Sequence, residues 1–301
     1  MRYLVTLLLV LGCFPLDAHA HVTSVSIESF WRTADGNDWS PAFLRAQQSV
    51  VSRTALEIRL ANRVYICRSR IDVFRGLRVI GTGNGAANGG ATGASTQLNF
   101  NNGTGGFLTH FAGTYAPEPT VSGYLDIQGV HILGSGGANT HGIQIQNAAN
   151  IEWVHISGFG GNGFHADCTA PTTNCNRWHV GNSRIVGNTG HGMFLDGADA
   201  NAGTAYNVSV ESNGGRGVFD SSFLGNTYVM MHALENVGIS YFTDNANARS
   251  VFIGCYSEGC AVHQIVTPSL IIGGFMCGNA SATAGMLSSG TTGLSGGGSI
   301  Q

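Results

Sequence analysis

The sequence predicts an all-β chain, a right-handed parallel β-helix with an N-terminal capping helix, and three observations carry that prediction. Between residues 140 and 221 one phrase keeps returning, in which a glycine precedes an apolar-x-apolar alternation. It reads His141-Gly142-Ile143-Gln144-Ile145-Gln146, Asn162-Gly163-Phe164-His165-Ala166-Asp167, His191-Gly192-Met193-Phe194-Leu195-Asp196 and Arg216-Gly217-Val218-Phe219-Asp220. Apolar segments also start at Leu125, Ile151, Trp178, Val208, Val229, Val251 and Leu270, spaced 26, 27, 30, 21, 22 and 19 residues apart. Finally, glycine reaches 45 of 301 residues while the hydrophobic share stays at 43%, so the chain has a core to build and corners to turn. Short strands and Gly/Asn turns at such a period mark a stacked solenoid.

In chain order, Arg2, an apolar run over residues 4–11 and Ala18-His19-Ala20 read as a secretory signal cleaved after Ala20. That run is too short to cross a bilayer, and no later segment is apolar enough to span one. The expected location is therefore outside the cytoplasm: secreted, periplasmic or at the cell surface. Removing Cys13 with the signal leaves six cysteines in an oxidising compartment. Cys168 and Cys175 bracket a loop that a disulfide would close. Cys255 either pairs with Cys260 or stacks on Cys277, and Cys67 and Cys277 also fit buried thiols.

Residues 22–30 alternate like a strand and lead to the turn Asp35-Gly36-Asn37-Asp38. Ser40 then suits an N-cap, Pro41 the first helical position, and residues 42–51 a helical period. A lone amphipathic helix before a solenoid covers the open end of the stack. Residues 55–60, 64–67 and 77–80 read as short strands. The Gly/Asn/Ala stretch 81–106 reads either as a loop over one face or as an irregular first rung. The expected organisation is a signal at 1–20, a cap with first strands and Gly-rich loop at 21–123, regular rungs at 124–278, and a Gly/Ser-rich tail at 279–301. No C-terminal cap shows in that tail, so the stack is expected to end in a disordered tail, to be covered by another subunit of a homo-oligomer, or to continue in a longer chain.

The order strand, Asp35-Gly36-Asn37-Asp38, helix, strand, Val64-Tyr65, then Gly76-Leu77-Arg78-Val79-Ile80-Gly81 resembles the N-terminal part of the pectate-lyase-like superfamily. That group includes polygalacturonase-related proteins and phage tailspike-type β-helices. The resemblance covers residues 22–275. It implies the fold and a polysaccharide partner, acted on by hydrolysis, β-elimination or epimerisation, or bound by a receptor-binding spike. Gly190-His191-Gly192 resembles a polygalacturonase signature with Asp167 upstream. The paired Asp-Asp is only Ala166-Asp167 here, the upstream Asn-Thr-Asp is missing, and Arg-Ile-Lys cannot occur because the chain contains no lysine. The absence of lysine also excludes Schiff-base chemistry.

Alternation sorts the repeated phrase into inside and outside. Ile143, Ile145, Phe164, Ala166, Met193 and Leu195 are assigned to the core. The second column after the glycines, Gln144, His165, Phe194 and Phe219, points outward. So does the fourth, with Gln146, Asp167 and Asp196. Just before the glycines stand His141, Asn162, His191 and Arg216. Apolar rings beside polar groups suit pyranose faces and hydroxyls, so Gln144, Gln146, Asn162, Phe194, Phe219 and His141 are candidate substrate-binding residues.

The catalytic candidates are Asp167, Asp196, His191, His165 and Arg216. Two carboxylates one or two strand spacings apart, about 5–10 Å, suit glycoside hydrolysis. A lyase would instead recruit His165, His191 or Arg216 as base or carboxylate neutraliser, with or without Ca2+ on Asp167 and Asp196. The rival reading is a non-catalytic surface or tailspike-like adhesion module in which the same Asp and Asn columns only bind turn backbone. Glu258 reads as a solvated turn acid. Residues 79–301 hold 4 Arg against 11 acids, which argues against a nucleic-acid partner. No cysteine or histidine spacing marks a metal site.

Overall fold

The computed structural model describes residues 22–50, 55–83, 95–112, 122–244, 249–258, 269–276 and 288–289. The signal segment, Cys260, Cys277 and nearly all of the tail lie outside the described residues. Among the described residues, the strands from Ala55 to Glu258 repeat in a cycle of three, joining in turn all-parallel sheets of eleven, nine and seven strands. This is the predicted parallel β-helix. The first coil already forms at Ala55–Arg59, Val64–Cys67 and Ile71–Val73, well before residue 124. The Gly-rich stretch contributes a regular strand, Thr96–Phe100, to the second sheet.

Register corrects one sequence assignment. Val208 does not start a first-sheet strand; Thr204–Tyr206 does, pairing His179 with Thr204 and Thr204 with Thr227. The apolar signal is weak there because the interior beside it is filled from elsewhere. A Cβ on Gly203 would lie 2.0 Å from the buried Trp178 ring, so only glycine fits. Trp178, Tyr228 and Phe252 stack through the lumen and carry much of the core.

The corner from the first to the second sheet is a column of left-handed residues: Gly129, Trp153, Asn182, Asn207, Met230, Gly254 and Gly273. Such a corner turns the chain within one or two residues and keeps successive coils superposable. The next corner is held from inside. Asn188 Nδ2 donates to Asn213 Oδ1 at 3.0 Å, and Asn213 Nδ2 to Asn236 Oδ1 at 2.9 Å. The same side chains accept backbone N–H groups from Phe159, Asn188 and Asn213.

At the N-terminal end the strand stops at Ser26, and Ile27–Phe30 forms a 3-10 turn in place of the predicted strand end. The helix runs Ser40–Ser49 and buries Ala42, Phe43 and Ala46 on the first coil, so it does cover the stack. Its cap differs from the prediction. Asp38 Oδ1 accepts the Ser40 N–H at 3.0 Å, while the Ser40 hydroxyl bonds Ser69. Cys168 and Cys175 form the expected disulfide, and Cys67 and Cys255 are buried thiols.

Candidate functional site

The repeated phrase builds the third sheet: Ile143–Ile145, Phe164–Asp167, Met193–Gly197 and Val218–Ser222, continued by Tyr241–Thr243. All six residues assigned to the core are fully buried. On the outer surface Gln144, His165, Phe194, Phe219 and Phe242 pair in register across five coils. His165 stacks on Phe194 at 4.9 Å, Phe194 on Phe219 at 4.8 Å, and Phe219 meets Phe242 edge-on at 5.2 Å. His165 is buried and the three phenylalanine rings are half-buried, each covering its neighbour, so the strip is continuous. Arg216 lies over Phe219 and Phe242, at 4.1 and 3.7 Å from their centroids.

One flank of this strip is a backbone ladder. His141 Nδ1 accepts the Asn162 N–H at 2.9 Å, Asn162 Oδ1 accepts that of His191 at 2.8 Å, and His191 Nδ1 that of Arg216 at 2.8 Å. An imidazole whose Nδ1 accepts an N–H is neutral and carries its proton on Nε2. Burial and the Arg216 guanidinium push His191 down to about 4, and burial lowers His141. Both rings therefore present an N–H donor, and neither offers a free base.

The other flank is acidic. Asp167 and Asp196 pair directly on adjacent coils, about 4.8 Å apart at the backbone. Gln144 Nε2 and Thr169 Oγ1 each donate to Asp167 at 2.9 Å. Burial, Asp167 and Asp244 raise Asp196 above the ordinary carboxylate range. Asp167 thus accepts two side-chain hydrogen bonds, while Asp196 is biased to keep its proton. Gln146 stands one coil earlier in this column, where its N–H donates to Thr109 Oγ1. Among the described residues, no group of three or more His, Cys, Asp or Glu is placed to hold a metal ion.

His165 behaves differently from its prediction as an outward base. It is only 9% exposed, and neither ring nitrogen has a hydrogen-bond partner. Burial and the His141 ring lower it to about 4. It serves as the first ring of the aromatic strip.

No family model matches the chain, and no curated protein matches it in sequence. Solved structures do match. The phiAB6 tailspike, in complex with oligosaccharides of Acinetobacter baumannii surface polysaccharide, aligns with a TM-score of 0.55 at 16% identity, over 88% of this chain and 47% of that one. The Agl-KA catalytic domain gives 0.53 at 15%, over 88% and 57%, and ORF18 of Geobacillus virus E2 gives 0.52 at 13%, over 87% and 59%. The likeness is one of fold. The chain spans roughly half to three-fifths of the length of these proteins.

Sequence reasoning missed Phe242, which extends the strip, and Asp244, which adds a third acid facing Asp196 and Arg216. The refrain would have reached them, but Ser240 replaces its glycine. Neutral histidines also have a consequence for stability. His191 and His165, at about 4, and His155, at about 3 on the second sheet, sit below the 6.5 of an exposed imidazole. Unfolded chains bind these protons near pH 6.5 and the folded chain only near pH 3–4, so stability falls as pH drops through that window. The apparent melting temperature is expected to decline from pH 7 to pH 4, and His155→Gln should flatten the decline. A profile that is level to pH 4.5 would contradict the assignment.

Proposed function

We propose that this protein binds an extracellular polysaccharide along the outer face of the third sheet and cleaves it by hydrolysis. The observation that carries the reading is the in-register pair Asp167 and Asp196 beside a strip of stacked aromatic rings. The rings offer flat apolar surface to pyranose faces, and the flanking His141 and His191 N–H groups offer donors to hydroxyls. Arg216, held as a cation across two phenylalanines, suits the carboxylate of an acidic sugar.

In this mechanism Asp196 gives its proton to the glycosidic oxygen as the bond to C1 breaks, and Asp167 attacks C1 from the opposite side. Water, deprotonated by Asp196, then releases the sugar from Asp167. The spacing of adjacent coils, about 4.8 Å at the backbone, lies closer to the roughly 5–5.5 Å between the carboxyl groups of retaining enzymes than to the 6.5–9.5 Å of inverting ones. Hydrolysis is favoured over β-elimination because the candidate bases are taken: His191 Nδ1 accepts a backbone N–H, and His165 is buried. Export is supported by the pattern of the first twenty residues and fits the disulfide.

A second reading, an assembling adhesion module, is favoured by a different surface. Tyr206, Val229, Ile253 and Ile272 pair in one outward column of the first sheet, with Tyr206 42% and Ile272 41% exposed. The two readings separate on the third face. Replacing both Phe194 and Phe219 by alanine is expected to weaken binding in a polysaccharide-gel mobility assay at least tenfold, about 1.4 kcal/mol. Unchanged retardation of the double variant would remove the third face from the account.

A further inference from the structure

Several coils before Asp167 and Asp196, at the N-terminal end, a second arrangement of rings and charge remains unused. The segment after the 3-10 turn is fixed by Asp35, whose carboxylate accepts the Arg32 N–H at 2.8 Å and pairs with Arg45. Arg45 also donates to the Phe30 carbonyl. This holds Trp31 in place with its indole 38% exposed and its Nε1 donating to the Gly36 carbonyl. Trp39 faces it at 6.1 Å. The Arg63 guanidinium lies 4.9 Å above the Trp39 ring and 5.2 Å above Tyr65.

Arg63 is exposed and, among the described residues, its charge acts on the Glu28 carboxylate without forming a close ion pair. The nearby Glu28 carboxylate is already held by the Ser26 and Tyr65 hydroxyls. A cation stacked on indole keeps its N–H edge free for a planar anion. The cleft between these groups, also lined by Asn37, measures about 210 Å³. That is below the roughly 300–1,000 Å³ of sites for drug-sized ligands, which leaves room for one ring. Residues 21–78 hold 9 Arg against 5 acids, so the surrounding field attracts anions.

We propose that this cleft is a secondary subsite for a single uronate residue, its ring on the Trp31 indole and its carboxylate on Arg63. The inference rests on the polysaccharide reading but names a different surface and a charged sugar class. An anionic polymer held here at one end of the helix would be tethered to the same molecule as the third face, raising its local concentration there.

The test uses the full chain labelled with 15N, whose four tryptophans give four indole N–H signals. Trimers of galacturonate and of glucuronate are titrated against neutral galactotriose. Saturable shifts of the Trp31 and Trp39 signals are expected with a uronate trimer and at least tenfold weaker with galactotriose. Arg63→Gln and Trp31→Ala should each weaken the shift tenfold or more, while Phe194→Ala with Phe219→Ala leaves it unchanged. No shift with either uronate trimer at millimolar concentration overturns the subsite, and so does equal binding of the neutral trimer. Polymer retardation lost only in the phenylalanine variant would then leave the third-face reading standing. Loss of both signals would remove both.

Discussion

Replacing Asp220 by alanine is expected to destabilise the protein by about 3–5 kcal/mol, because several buried donors lose their common acceptor at about 1–3 kcal/mol each. The fourth refrain puts a carboxylate where the others put Ile145, Ala166 and Leu195, and Asp220 is fully buried. It survives there because four donors converge on it. Oδ1 accepts the Ser222 N–H at 3.0 Å, and Oδ2 accepts Tyr228 Oη at 2.8 Å, Ser250 Oγ at 2.7 Å and Asn226 Nδ2 at 3.1 Å. Alanine would leave those donors facing a cavity, and each unpaired buried group costs about 1–3 kcal/mol. Asparagine is the sharper control, because it nearly keeps the volume but turns a donor towards other donors. Thermal melts read by circular dichroism should show both variants lowered, by roughly 10 °C or more for alanine. Because coils of a solenoid contact only their neighbours, the loss should concentrate in the coils around Asp220. A variant melting with the parent would show that the network carries no stability.

Replacing Asp196 by asparagine is expected to lower hydrolysis about 10²–10⁴-fold, the usual range for a general acid. The fold should be unaffected, since Asp196 is half-buried on the outer face and its removal relieves repulsion from Asp167 and Asp244. Binding should hold or tighten for the same reason, so KM stays level while kcat falls. An adhesion module would give neither effect. The pH profile adds a sign: a general acid raised above the carboxylate range keeps its proton further towards neutral pH. The alkaline limb of kcat/KM should therefore lie above the ordinary aspartate value and vanish in Asp196→Asn.

What was legible in the sequence follows from what each position has to do. Inward positions must be apolar on every coil, so Ile143, Phe164 and Met193 announced both the strand and its facing. Outward positions are free to vary, which is why an outward His165-Phe194-Phe219 column stood out. The same alternation placed Asp220 inside, and taking that placement seriously would have located the buried network. Other features leave no periodic mark. The Asn188, Asn213 and Asn236 ladder sits at a corner, where asparagine is common for reasons of turn geometry alone. His191 looks like a catalytic base by type and His141 like a sugar-binding group, and only the register of the next coil shows their Nδ1 atoms accepting backbone N–H groups. Thr204–Tyr206 escaped notice because small residues there make way for Trp178.

The most direct test of the third-face account is the chemistry of the products. The protein would be incubated with a panel of acidic and neutral polysaccharides, with Asp196→Asn in parallel. New reducing ends are expected without absorbance from unsaturated uronides, released with retained anomeric configuration by 1H NMR, and abolished by Asp196→Asn. Unsaturated ends, or cleavage indifferent to Asp196, would contradict a carboxylate-pair hydrolase on this face.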